Sequence, residues 1–327
     1  MYKFKVEIPL ELEQKSNFDS LKQSFSFNIS FKHTGYYNGF YYKLLGINNS
    51  YNIIIENVIE KKEKPLSDLI ENFLDNILPV CSLIIQEQNS NQSYTHLRLN
   101  YKRSKIEIKN LGVVQDNSFV NNANEIKKIS VRDLVIPSPS LSLKSTKEID
   151  FKKLDNYVNK YKTDKEFKYI LNCYYRAIAS TDFITKYYNA FPVIELLEKQ
   201  FRDEINTSLL LDKIAFNNLI DNIQNSKYID EKIRSRIINR IKSTLKSATL
   251  ETRSEKLEKL FTNYFRINYI ESGSINLTIT NQLMSEFIKI RNIIVHDKKF
   301  NEEEKSKIFN LGLQLILLIQ SILMNWK

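Results

Sequence analysis

The sequence predicts two structural classes in one chain, an α+β domain over residues 1–134 and an all-α bundle over residues 151–327. Three observations carry that division. Apolar and polar residues alternate along residues 1–60, whereas every stretch after about Phe151 repeats its apolar residues at helical spacing. Between the two lies Val135-Ile-Pro-Ser-Pro-Ser-Leu-Ser142, a run with two prolines and three serines that reads as a linker spanning 135–150.

The first domain can be followed element by element. Val6, Ile8 and Leu10 alternate with polar neighbours, as do Phe25, Phe27, Ile29 and Phe31, and both sets read as half-buried strands. Asn38-Gly39 stands between Tyr36, Tyr37 and Phe40, Tyr41, Tyr42, which is the composition of a tight hairpin. A second turn at Asn48-Asn49-Ser50 precedes another apolar strand, so the region is an antiparallel meander. Leu69, Phe73, Ile77 and Leu78 then mark one long helix with a kink at Pro79, continued by Leu83 and Ile84. Strand patterning returns at 94–99 and 105–108, giving one helix on an antiparallel sheet. In the second domain, helices are expected at 167–180, from an Asp182 cap to about Phe201, and at 208–223, 230–247 and 254–264. A loop around Gly273 leads to the last two, 278–296 and 302–325.

Composition narrows the function classes. The 327 residues suffice for two domains, and 42% hydrophobic with 26% charged residues is a globular balance. Six glycines and six prolines disfavour a Gly-rich phosphate loop. Residues 1–140 hold 17 Lys+Arg against 15 Asp+Glu, or +2, leaving 31 against 23, or +8, for 141–327 out of a total of +10. A polyanion is therefore drawn to the second domain, unless the excess is only a Lys-rich surface. Cys81 and Cys173 are far apart, and His33, His96 and His296 are the three histidines, so neither a metal centre nor a cofactor is expected. The first residues lack the apolar run of a signal peptide. The apolar stretch 308–326 is interrupted by Asn310, Gln314, Gln320 and Ser321, which suits a buried helix better than a membrane span. The expected location is cytoplasmic, without membrane contact.

The chemistry concentrates on 281–299. On a helix, Leu283, Phe287, Ile290 and Ile294 form an apolar stripe, and Ser285, Lys289, Asn292, His296 and Lys299 form a polar one. Arg291 lies between them, in a row with Met284, Ile288 and Val295, so its guanidinium needs a partner across an interface. Attack by a ribose 2′-hydroxyl on the adjacent phosphate needs an acid–base group active near neutral pH, which imidazole supplies. It also needs a cation for the developing phosphorane charge, and guanidinium presents a planar fork to phosphate oxygens. Asn292, one turn before His296, is placed to orient the imidazole or hold a phosphate oxygen.

Arg291-Asn292-x-x-x-His296 on the penultimate helix of a helical domain resembles the HEPN superfamily. So do Phe191-Pro-Val-Ile-Glu195-Leu-Leu-Glu198, like the early helix of the larger prokaryotic members, and Ser254-Glu-Lys-Leu-Glu-Lys-Leu-Phe261, like the approach to their catalytic helix. The resemblance covers about 150–327 and not the first domain. It implies a metal-independent endoribonuclease of phage defence or toxin type, with Arg291 and His296 catalytic, Asn292 supporting, and a homodimer forming a composite cleft through the helical domain. Lys298 stands where the toxins paired with a nucleotidyltransferase carry a tyrosine, so the resemblance does not reach that pairing. The alternative is a non-catalytic module binding RNA, nucleotide or a protein partner, with His296 a surface side chain and Arg291 in an intramolecular ion pair.

Further RNA contacts are expected from Lys289 and Lys299 beside the motif, and from Lys232, Arg236 and Arg240, which share a face of a basic helix. A solvated helix face explains that second set equally well. Glu195 and Glu198 are the carboxylates able to reach the cleft from the early helix. The first domain is expected to regulate the second, through an unidentified ligand or protein.

Overall fold

The structure, a computed structural model, describes residues 2–16, 28–47, 50–60, 63–89, 95–113, 146–201, 213–226, 230, 233–240, 251–272, 275–296 and 300–326. The chain divides into two compact units, one running to Lys168 and the other from Tyr169. The first is a mixed sheet with helices and the second is mostly helical.

In the first unit, β1 (Tyr2–Ser16) organises the sheet. At 15 residues it is long enough to pair β4 (Ser50–Glu60) on one side and two strands end to end on the other. Those two are β6 (Glu107–Val113), opposite Tyr2 to Glu7, and β5 (Thr95–Tyr101), opposite Leu10 to Ser16. Beyond β4 come β3 (Phe40–Ile47) and β2 (Asn28–Tyr37), joined by the Asn38-Gly39 turn. Both turn residues lie at positive φ, 42° and 98°, as a two-residue hairpin following the sheet's twist requires. Alternation then decides which side chains go inward: Phe4, Val6, Ile8, Phe31, Phe40, Tyr42, Leu44, Ile53 and Ile55 are buried. Of the aromatic hairpin, Tyr37, Phe40 and Tyr42 point into the core and Tyr36 and Tyr41 pair on the outer face. Phe25 and Phe27 lie outside the described residues.

Helix α1 (Glu63–Gln88) covers the inner face. Its Phe73 ring meets Tyr37, Phe40 and Tyr42 at 5.0–5.3 Å. Proline at 79 removes the N–H that would bond the carbonyl of Asp75, and the Tyr161 hydroxyl donates to that carbonyl instead, at 3.3 Å. Two buried polar residues of α1 serve the backbone of β5: Gln86 Oε1 accepts from Leu97 N–H at 2.9 Å and Ser82 Oγ from Leu99 N–H at 3.0 Å.

The first unit extends past the expected boundary for two reasons. Of the linker placed at 135–150, residues up to 145 lie outside the described residues, but Thr146–Glu148 form β7, a parallel addition to β2. The chain is then fixed by Gln88, whose side-chain amide donates to Asp150 O at 2.6 Å and accepts from Asp150 N–H at 2.8 Å. Helix α2 (Leu154–Thr163) packs on α1, burying Leu154, Val158 and Tyr161.

The second unit follows the helical pattern with two departures. Helix α3 (Lys165–Ala179) leads to α4 (Phe183–Ala190), whose Asp182 cap accepts from Thr185 N–H at 2.8 Å. The single helix expected from Asp182 to about Phe201 is two, because Pro192 opens α5 (Pro192–Gln200) as its first residue. After α6 (Lys213–Gln224) and the helical residues 233–240 (α7) comes α8 (Arg253–Lys259), which continues into a π-helical turn, Leu260–Tyr264. Gly273, expected in a loop, lies outside the described residues, and on either side of it β8 (Tyr269–Ser272) and β9 (Ile275–Thr278) pair as antiparallel strands that the helical pattern did not predict, so the unit is not purely helical. Four-residue strands fall below the length at which alternation can be told from chance.

Helices α9 (Asn281–His296) and α10 (Glu302–Met324) close the chain. By length and composition α10 would cross a membrane, yet 72% of its apolar window is buried in the fold. From Leu315 to Leu323 every side chain is covered, Gln320 and Ser321 included. It is a core helix of its own unit.

His33 supplies a pH test of the first unit. It sits between Tyr42 and Phe151, and its Nε2 is 3.8 Å from an Asp155 carboxylate, too far for a hydrogen bond. Burial outweighs the pull of Asp155 and Asp150 and holds the imidazole below its ordinary range. The unfolded chain therefore takes up the proton first, so stability is full above about pH 6.5 and falls as the pH drops through the lower folded value. The melting temperature of the full chain should fall between pH 7.5 and 5.5, and His33→Gln should remove that part of the loss. Equal losses in both proteins would assign it to other groups.

Candidate functional site

The motif helix α9 is held by its buried face, which centres on Met284, Phe287 and Ile290. Leu283 and Ile294, expected on that face, are half-exposed. The anchoring rows are thus three residues apart and the helix is rotated slightly from the expected stripe. Its position is fixed by Tyr187 of α4, whose buried hydroxyl donates to the Phe287 carbonyl at 2.6 Å. Burial pushes that phenol far above its usual range, so it remains a donor.

This rotation brings Arg291 to the edge of the buried face. Its guanidinium reaches Glu195 Oε1 of α5 at 3.0 Å, and also makes a long contact to Asn292 Oδ1 at 3.4 Å. The partner expected across an interface is therefore found within the chain. The next acidic residue on α5, Glu198, binds Arg253 of α8 in a forked pair, with Nε at 3.0 and 2.9 Å and Nη2 at 2.7 Å. One turn apart, two carboxylates of α5 thus tie down an arginine from each of the two helices that pack together, α8 and α9.

The expected polar stripe is solvent-facing: Ser285, Lys289, Asn292 and His296 are all exposed. At about 100° per residue, Asn292 and His296 diverge by only about 40°, whereas Arg291 and His296 are about 140° apart around the axis. Arg291, Asn292 and Glu195 are brought together, and His296 stands one turn beyond Asn292 at the C-terminal end of α9. Lys299 and Lys232 lie outside the described residues, and Arg236 and Arg240 are exposed side chains of α7.

Helix α3 carries another group of side chains on one face. Tyr169, Cys173 and Arg176 line one face of α3 at i, i+4 and i+7. Burial raises the Tyr169 phenol, with Cys173 and Glu195 adding to the effect and Arg176 opposing it, so both charges act at that ring. No sequence motif marks this face. Among the described residues, no group of three or more His, Cys, Asp or Glu could hold a metal ion.

Comparison with known proteins finds no family model, no curated protein and no solved structure that matches this chain.

Two substitutions separate what holds the helix from what holds the guanidinium. Tyr187→Phe removes a buried hydrogen bond and should cost about 1 kcal/mol. Glu195→Gln breaks a half-exposed ion pair and should cost less than about 1 kcal/mol. Urea denaturation of the full chain gives both values. If Glu195→Gln proved the more damaging, the carboxylate would be holding α9 itself, not just its arginine.

Proposed function

We propose that the second unit is a metal-independent endoribonuclease of the HEPN type, cytoplasmic and acting in phage defence or as a toxin. One observation carries it: Arg291, Asn292 and His296 lie on one continuous helix, with the guanidinium held by Glu195 and the amide and imidazole open to solvent. His296 exchanges the proton of the ribose 2′-hydroxyl or of the leaving 5′-oxygen, and Arg291 stabilises the phosphorane. Asn292, touching Arg291 and one turn from His296, links the two. In-line displacement places the attacking and leaving oxygens on opposite sides of phosphorus, and one imidazole cannot serve both at once. A homodimer, with one His296 from each copy, supplies the second group.

A different observation favours the alternative, a non-catalytic module binding RNA, nucleotide or a protein. The Arg291 charge is already engaged by Glu195, which a solely structural ion pair would also explain.

Purified protein should cleave single-stranded RNA in EDTA and leave cyclic phosphate and 5′-hydroxyl ends, because the neighbouring 2′-hydroxyl, not water, is the nucleophile. His296→Ala and Arg291→Ala should each lose roughly 100-fold or more in rate. RNA that is bound but uncut, with His296→Ala indistinguishable from wild type, would establish the binding module.

The dimer is tested separately, by light scattering of the full chain at micromolar concentration. The covered flanks of α10 and the paired Arg291 mean that neither by itself demands a second copy. The expected dimer therefore follows from the chemistry alone, and an active, strictly monomeric protein would refute the two-histidine mechanism.

A further inference from the structure

We infer that Glu195 is an exchangeable guard on the phosphate clamp: its carboxylate neutralises Arg291 at rest and gives up that guanidinium to a phosphodiester of bound RNA. This deepens the ribonuclease proposal and rests on it for the identity of the ligand.

The two acidic residues of α5 hold their arginines in different ways. Glu198 and Arg253 form a closed fork, with Nε at 3.0 and 2.9 Å from the two carboxylate oxygens and Nη2 at 2.7 Å from one of them. Both oxygens are used, as in a fixed structural pair. Glu195 meets Arg291 differently: Nη2 lies 3.0 Å from Oε1, and among the described residues no forked hydrogen bonds join the two. The only other contact of the guanidinium there is the long one from Nη1 to Asn292 Oδ1, at 3.4 Å. A guanidinium carries more N–H donors than these two contacts use, so Arg291 keeps donors for an incoming oxygen.

The pair can also be opened without disturbing the fold. The Arg291 and Glu195 side chains are 35% and 42% exposed, so a phosphate reaches them from solvent. Helix α9 is held by Met284, Phe287, Ile290 and the Tyr187 hydroxyl, and α5 by Val193, Ile194 and Leu197, all buried. Neither helix relies on this ion pair for its place. Carboxylate and phosphate are the two anions a guanidinium fits best, so Glu195 competes with RNA for one cation. The phosphorane carries more negative charge than the carboxylate and draws the guanidinium more strongly than the ground-state diester does. The guard therefore weakens the binding of RNA at rest and gives way as the reaction proceeds.

The test is binding of a fluorescent 2′-O-methyl oligoribonucleotide, which lacks the nucleophile and cannot be cut, to the full chain. Glu195→Gln keeps the side chain's shape and removes its charge, and it should tighten binding by up to about 5-fold, the most that a half-exposed ion pair is worth. A gain of affinity is not what damage to the fold produces. Arg291→Ala should weaken binding and lower the slope of log affinity against log salt by about one. The double variant should bind no better than Arg291→Ala alone, because the guard acts only through that arginine. Glu198→Gln removes the same charge one turn away and should stay within about 2-fold of wild type. If Glu195→Gln binds as wild type or more weakly, the carboxylate does not compete with RNA and the guard is overturned. A gain that persists without Arg291, or that Glu198→Gln reproduces, is a general effect of net charge and overturns it as well. If Glu195→Gln fails to tighten binding while His296→Ala abolishes cleavage of ordinary RNA, the guard fails and the ribonuclease stands. The expected gain on a protein that cuts no RNA supports the guard on a binding module. Absence of any RNA binding overturns both.

Discussion

The ion pair between Arg291 and Glu195 is the contact through which the second unit's sequence becomes a site. A guanidinium at the margin of a buried helix face is costly unless something accepts its protons. Here the acceptor comes from α5, 96 residues earlier in the chain. The pair is half-exposed on both sides, so its contribution to stability is small. Its consequence is geometric: it fixes which way the fork points. Glu198 repeats the arrangement one turn later with Arg253, so α5 acts as a two-toothed clasp on α8 and α9. The Phe191–Pro192 break is what allows this, because it ends α4 and starts α5 as a separate helix.

Long regular elements were legible in the sequence, and the reasons are physical. Alternation in β1, β3 and β4 repeats over enough residues to identify the inner face, and Asn38-Gly39 is among the few dipeptides suited to a tight hairpin turn. The order of the two classes, sheet first and helices after, follows from the same periodicities. What was not legible depended on distant partners. Nothing in Thr-Lys-Glu at 146–148 marks a strand, and it becomes one because β2 offers an open edge. Likewise β8 and β9 are four residues each, too short to show a period.

The site divides along the same line. Arg291, Asn292 and His296 could be singled out because they share one helix, where spacing converts directly into direction. The Arg291 partner could not, since helical spacing tells how a side chain leaves its own axis and nothing about what lies opposite. Glu195 was visible only as a carboxylate on an early helix.

The apolar final helix by itself carries no argument about the number of copies. Its composition correctly implies that nearly every side chain must be covered, but composition does not specify by what. The same chain covers it, as the burial of Leu315 to Leu323 shows, so α10 provides no surface that calls for a second copy. The case for two copies must then come from the reaction. His296 is the only histidine after residue 96, and it projects about 140° away from Arg291 on its helix. On the proposed reading, one copy presents one acid–base group on one side of the helix and one phosphate clamp on another. In-line transfer needs a proton donor, a proton acceptor and a cation around a single phosphorus atom. On that reading, two copies with their α9 ends together are the arrangement that supplies all three.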